Sequence, residues 1–138
     1  MKRSSSVRAY GVLVEAGQVL LVRSSNPRHD PPLWWLPGGG INFGETPESA
    51  VLREFGEETG LAVHSPRLLL VTSDLRRRDN GDQIHAMRIC YTVESSGGRL
   101  IDEVEGTTDR ATWYGLDALA SLNVAGYARA AIAAAQGK

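Results

Sequence analysis

The chain reads as one α/β domain, an α/β/α sandwich with a mixed β-sheet between helices. Three observations predict this. Short apolar, strand-like stretches lie on both sides of one well-delimited helix at about residues 47–59. An Ala-rich helical stretch closes the chain from about Val124 to Gln136. At 138 residues there is material for one real core. Strands interrupted by one helix and followed by another call for a sheet covered on both faces. Residues 1–138 are therefore expected to form a single domain.

Taken in order, Ala9 to Val14 reads as a strand, Ala16-Gly17 as a turn, and Gln18 to Arg23 as the hairpin partner. Ser24 to Pro32 is a polar loop. Trp34 to Leu36 is a short extended piece that enters the turn Leu36-Pro37-Gly38-Gly39-Gly40. The helix opens with Thr46 as N-cap and Pro47 at the first position, and Gly60 stops it. Gly56 inside it costs about 1 kcal/mol relative to Ala, which suggests a close backbone contact. Arg67 to Ser73 and Ile84 to Val93 pair around the Asn80-Gly81 turn, with Arg76-Arg77-Arg78 expected as an exposed loop, the alternative being a basic tip that guides phosphates. Ala111 to Tyr114 is a further strand, and a brief helix at about Asp117 to Leu122 precedes the terminal one.

The middle helix carries the chemistry. At roughly 100° per residue, Glu54 and Glu58 lie about 40° apart and Glu57 flanks them. The three carboxylates share one arc, while Val51, Leu52 and Phe55 fall on the adjoining buried arc. No Lys stands four residues beyond any of these glutamates to offset their repulsion. A cluster kept at that cost points to a bound cation. Hard carboxylate oxygens suit Mg²⁺ or Mn²⁺ rather than zinc.

Gly39, Glu45 and then Arg53-Glu54-Phe55-Gly56-Glu57-Glu58-Thr59-Gly60-Leu61 resemble the Nudix box of the Nudix hydrolases. Every glycine, glutamate and arginine position of that pattern is filled at the family's spacing. Phe55 stands where an aliphatic residue is more usual, which touches only local packing. In element order the resemblance runs from about Val7 to about Leu119. It implies the Nudix fold and a diphosphohydrolase, acting by metal-activated water on the diphosphate linkage of a nucleoside triphosphate or small nucleotide conjugate. It implies metal ligation by Glu54, Glu57, Glu58 and the Gly38 carbonyl, with Gly39 beside the substrate. Glu45 would pair with Arg53, fixing the loop to the helix and keeping Arg53 from neutralising the metal face. Glu54 or a downstream carboxylate would take the proton from water. Family members often draw an extra ligand or base from the region that here holds Glu103 and Glu105, and Glu105 is the preferred candidate. A catalytically silent nucleotide sensor is the alternative, and the retained Glu54, Glu57 and Glu58 argue for the enzyme.

Substrate contacts are less legible. Arg23, ending a strand aimed at the glycine turn, and Arg28, in the loop before it, could grip a terminal phosphate through the bidentate guanidinium fork. Of Trp34 and Trp35, one is expected in the core and the other at the pocket, and Trp34 is taken as the substrate residue. Tyr10, His85 and Tyr91 stand on strands whose alternation sends half the side chains to one side. Arg23-Ser24-Ser25-Asn26-Pro27-Arg28 partly resembles the signature of coenzyme A pyrophosphatases, so a coenzyme A-type dinucleotide is an alternative substrate. Pro32 and Leu36 depart from that signature. The marks of the NADH, ADP-ribose and diadenosine polyphosphate subclasses are missing.

A net charge of -1 gives no bulk attraction to nucleic acid or membrane. Met1 to Ser6 is polar, and no apolar run is long enough to cross a bilayer. Cys90 is the one cysteine, so no intramolecular disulfide can form, in keeping with a cytoplasmic location. The expected partner is a small nucleotide, with a homodimer left open.

Overall fold

The structure is a computed structural model that describes residues 1–102 and 106–138. Its elements run β1 (Arg3–Val12), β2 (Val14–Glu15), β3 (Gln18–Ser24), β4 (Trp34–Trp35), β5 (Gly38–Gly40), α1 (Pro47–Thr59), β6 (Leu61–Arg77), β7 (Gln83–Gly98), β8 (Thr108–Gly115), a 3₁₀ turn (Leu116–Ser121) and α2 (Gly126–Ala135). This is the mixed α/β architecture the sequence predicts, with one difference: the strands form two sheets. One is four-stranded in the order β5-β1-β7-β6, and the other joins β2, β3 and β4, with β8 on β3. Only β1 and β7 run parallel within the first sheet.

The division follows from Leu13, which is 1% exposed and packs in the core beneath α1. Drawing Leu13 inward bends the chain after β1. Val14 and Glu15 alone then pair with β3, while β1 takes β5 and β7 as neighbours. The predicted hairpin of residues 9–14 with 18–23 is thus reduced to a two-residue remnant.

Strand alternation builds the two halves of the core. Leu20 and Val22 of β3, Ala9 of β1 and Tyr91 and Val93 of β7 join Val51 and Phe55 of α1. Val19 and Leu21, Tyr10 and Val12, and Cys90 point the other way, onto Ala128, Ala131 and Ile132 of α2. β3 is therefore apolar on both faces, as a strand covered from both sides should be.

Helix α1 has the bounds its local signals set. The Thr46 hydroxyl accepts from Ser49 N at 3.1 Å, and Gly60, at φ 82, donates to the Gly56 carbonyl at 2.9 Å. The close contact expected of Gly56 is absent: a Cβ there would meet only the Leu61 carbonyl, at 3.8 Å. The β6–β7 ribbon is longer than the apolar pattern suggests, because backbone pairing continues through its polar ends. Arg76 and Arg77 consequently lie in β6 rather than in the loop.

Candidate active site

Edge strand β5 lies beside β1, with Tyr10 opposite Gly38 and Arg8 opposite Gly40. Two glycines are required there by contact. A Cβ on Gly38 would lie 2.2 Å from the Ala9 carbonyl oxygen, and its φ of +152 also disfavours a side chain. A Cβ on Gly39 would lie 2.8 Å from the Glu54 carboxylate. Gly39 thus lets Glu54 rest against the turn.

The three helix glutamates have different settings. Glu58 is buried and accepts hydrogen bonds from Gly38 N at 2.8 Å and the Thr108 hydroxyl at 2.9 Å, tying α1 to β5 and β8. The Glu54 side chain is 20% exposed and that of Glu57 54%. Glu58 is therefore engaged in the wall, and of the three carboxylates expected on one arc Glu54 and Glu58 line the acidic lobe while Glu57 lies outside it, more exposed. Among the described residues, no three His, Cys, Asp or Glu side chains are grouped so as to hold a metal ion.

Arg53 crosses the site. Its Nε donates to Glu45 Oε2 at 2.8 Å and Nη2 to Glu45 Oε1 at 2.9 Å, a two-point fork. Nη2 also donates to the Gly40 carbonyl at 3.0 Å. The Arg53 bonds, helped by Asn42 N–H, hold the Glu45 carboxyl down at about 2. The expectation that Glu45 keeps Arg53 off the metal face is not met. Nη1 donates to Glu54 at 2.9 Å and reaches Glu57 at 3.3 Å. One guanidinium is long enough to serve the loop carboxylate and the helix carboxylates together.

This geometry bears on whether a metal fits. A cationic group already stands between Glu54 and Glu57, and the surrounding donors are carboxylate and carbonyl oxygens. Mg²⁺ is commonly held by one or two carboxylates plus substrate phosphates rather than by an all-protein cage. The donor set fits that pattern without three converged glutamates.

A three-lobed cleft opens here, and Trp35 lines every lobe. The acidic lobe, about 220 Å³, is bounded by Gly38 to Gly40, Glu54, Glu58 and Thr107. A basic lobe of about 320 Å³ holds Arg8, Arg76, Arg78 and Arg88. A third, about 300 Å³, is walled by Ser24, Asn26 and His29. A further hollow, about 610 Å³, lies apart from the helix carboxylates, at the end of the mixed sheet beside Arg3, Asp74, Gln83 and His85.

Several substrate candidates move. Trp34 is 5% exposed and packs edge-on to Tyr114 at 4.9 Å, so it belongs to the core and Trp35 faces the cleft. Arg23 bonds Asp109 at 2.8 Å and lines none of these lobes. Arg28 is 84% exposed and also lies outside them. Tyr91 donates to Glu48 at 3.0 Å rather than facing the cleft, and burial pushes its hydroxyl up to about 12. Glu103 and Glu105 lie outside the described residues. The residues missed were Arg8 and Arg88, and the signal that marks Arg8 is strand period: Ser4, Ser6, Arg8 and Tyr10 alternate onto one face.

The Nudix domain family matches residues 2–134 of the chain. An ADP-ribose pyrophosphatase of Methanocaldococcus jannaschii is 36% identical over 69% of this chain and 54% of its own length. An RNA pyrophosphohydrolase of Pseudomonas paraeruginosa is 48% identical over 42% of this chain and 34% of its own length. The chain thus spans about a third to a half of these curated relatives. Among solved structures, a MutT Nudix hydrolase from Burkholderia pseudomallei superposes with a TM-score of 0.77 at 28% identity, covering 93% of this chain and 95% of the other. The Nudix domain of Shewanella oneidensis NrtR, complexed with ADP ribose, gives 0.74 at 25% identity, covering 99% and 88%. This chain belongs to the Nudix hydrolase family.

Proposed function

We propose that the chain hydrolyses the diphosphate linkage of a small nucleotide in a reaction that depends on Mg²⁺ or Mn²⁺. The observation that carries this reading is the seating of Glu54 against Gly39 at the acidic end of the cleft, with Glu57 beside it and Arg53 between the two. Glu54, Glu57 and the Gly38 carbonyl would hold the metal. Glu58 would complete the set from the wall, where it also fixes Gly38. Bound there, the ion supplies Lewis acidity, lowering the pKa of water and offsetting phosphate charge.

The protein's own groups do the rest. Glu54 would take a proton as the water oxygen bonds to phosphorus. The bridging P–O bond breaks, and the departing phosphate carries away its electron pair. The Glu45–Arg53 fork fixes the loop from Gly40 to Glu45 against α1. With a cation held by Glu54 and Glu57, the Arg53 Nη1 would be free to turn from these carboxylates toward phosphate oxygens. Trp35 offers its indole face to a base or ring.

The test is a panel of nucleoside triphosphates, ADP-ribose, coenzyme A and 5′-triphosphorylated RNA with Mg²⁺, the products identified by mass. Glu57→Gln is expected to lower turnover at least about a hundredfold while the melting temperature stays within about 1–2 °C, since surface substitutions seldom exceed ±0.5 kcal/mol. Wild-type turnover in that variant would refute the metal assignment. A nucleotide sensor is the second reading. It is favoured by the bonds Arg53 already makes to Glu54 and Glu57. A sensor would bind members of the panel and release nothing.

A further inference from the structure

We propose that the basic lobe is a second phosphate subsite, which selects nucleotides phosphorylated on the ribose in addition to the diphosphate that is cut. This rests on the hydrolase reading of the acidic lobe and adds the substrate's far end.

Among the described residues, four arginines and no carboxylate line this lobe. Asp74 bonds Arg88 at 2.8 Å and approaches Arg76 at 3.8 Å, so one carboxylate serves two guanidinium groups. Arg8 has only the Ser6 hydroxyl, at 3.3 Å, and among the described residues neither Arg8 nor Arg78 has a carboxylate partner. Arg88 is itself buried, lying 4.7 Å over the Tyr127 ring. Positive charge gathered and partly desolvated in this way favours an anion.

A second observation is independent of the charge. The Tyr127 hydroxyl, in the wall of the lobe, is buried and, among the described residues, makes no hydrogen bond of good geometry, with the Tyr10 hydroxyl as a polar neighbour. The Thr72 hydroxyl, on the register partner of Arg88, is buried and makes no hydrogen bond among the described residues. Buried polar atoms in native proteins are nearly always satisfied, and two such hydroxyls beside a buried arginine mark a place where a polar group is received.

Register sets the distance. Gly38 pairs with Tyr10, whereas Arg76 pairs with Ile84, which pairs with Ser4. The two rungs are separated along β1 by about 20 Å at ~3.3 Å per residue. A diphosphate held at Gly38 can reach Arg8, which borders both lobes, but is too short to reach Arg76 at the far end. A nucleoside between two phosphate groups, stacked at Trp35 where the lobes meet, spans the two rungs.

The experiment uses two pairs: coenzyme A against dephospho-coenzyme A, which differ by one 3′-phosphate, and the 5′-triphosphorylated dinucleotide ApG against ATP, which differ by a 3′-phosphate carrying a guanosine. Hydrolysis is measured with Mg²⁺, and binding is measured separately by calorimetry in EDTA. We expect at least one pair to favour the 3′-phosphorylated member about tenfold or more in both readouts. The exposed Arg78→Ala and Arg76→Ala variants should bring that ratio to within about twofold of unity. The first pair tests a ribose phosphomonoester and the second a phosphodiester of an RNA end. Equal affinity and equal kcat/KM within both pairs, or a preference that survives both variants, overturns the subsite. A binding preference without hydrolysis of any compound overturns the hydrolase reading and leaves the subsite standing.

Discussion

Replacing Trp34 and Trp35 in turn separates two roles that neighbouring residues of one type hold in this fold. Trp34 is 5% exposed, packs on Tyr114 and sits in the α2-side core. Truncating it to Ala removes a buried aromatic and leaves a cavity, at a cost of about 3–5 kcal/mol. For a chain of this size that is about 10–20 °C in Tm. Trp35 is only partly buried and lines all three lobes, so Trp35→Ala should cost about 1–2 kcal/mol in stability. Its larger effect should be kinetic. Aromatic stacking on a base is worth about 1–3 kcal/mol, or about 5-fold to 150-fold in kcat/KM. Thermal melts of both variants and kcat/KM on the best substrate of the panel decide the matter. A Trp34→Ala protein that melts like wild type, or a Trp35→Ala protein with unchanged kcat/KM, would refute the assignment of core and cleft.

Two further outcomes follow from titratable groups. Burial pushes the Cys90 thiol up to about 11, so it should resist dithionitrobenzoate at pH 8 in the native protein and react stoichiometrically in denaturant; rapid native labelling would show that the core opens. Glu45 is lowered by its Arg53 bonds from 4.5 to about 2, so its contribution to stability is complete above pH about 4.5 and is lost as pH falls through about 2. The Tm difference between wild type and Glu45→Gln should therefore be largest near neutrality and shrink across that window, and a difference constant from pH 7 to pH 2 would contradict it.

What could be read in the sequence was what is decided locally. The limits of α1 follow from Thr46, Pro47 and Gly60, three residues whose effects reach no further than the adjacent turn. The pairing of β6 with β7 was visible because a short turn joins them, although their polar ends were not credited as strand. The split into two sheets was not legible. It depends on the inward position of Leu13 and on the parallel match of β1 with β7, contacts between residues far apart in sequence.

The same distinction governs the site, and it explains why the acidic residues could be grouped from the sequence while the meeting of Arg8 with Arg88 could not. Glu54, Glu57 and Glu58 fall together by the period of one helix. Arg8 and Arg88 meet only because two distant strands pair in parallel with these residues as direct partners. Like charges facing each other on one sheet surface are destabilising. Arg88 has Asp74 and the Tyr127 ring to offset this, while Arg8 has a serine hydroxyl. The cleft thus carries carboxylates bridged by Arg53 in one lobe and guanidinium groups short of carboxylate partners in the next, with Arg8 bordering both. On the reading proposed above, a single substrate would bring a cation to the carboxylates and further phosphate to the arginines.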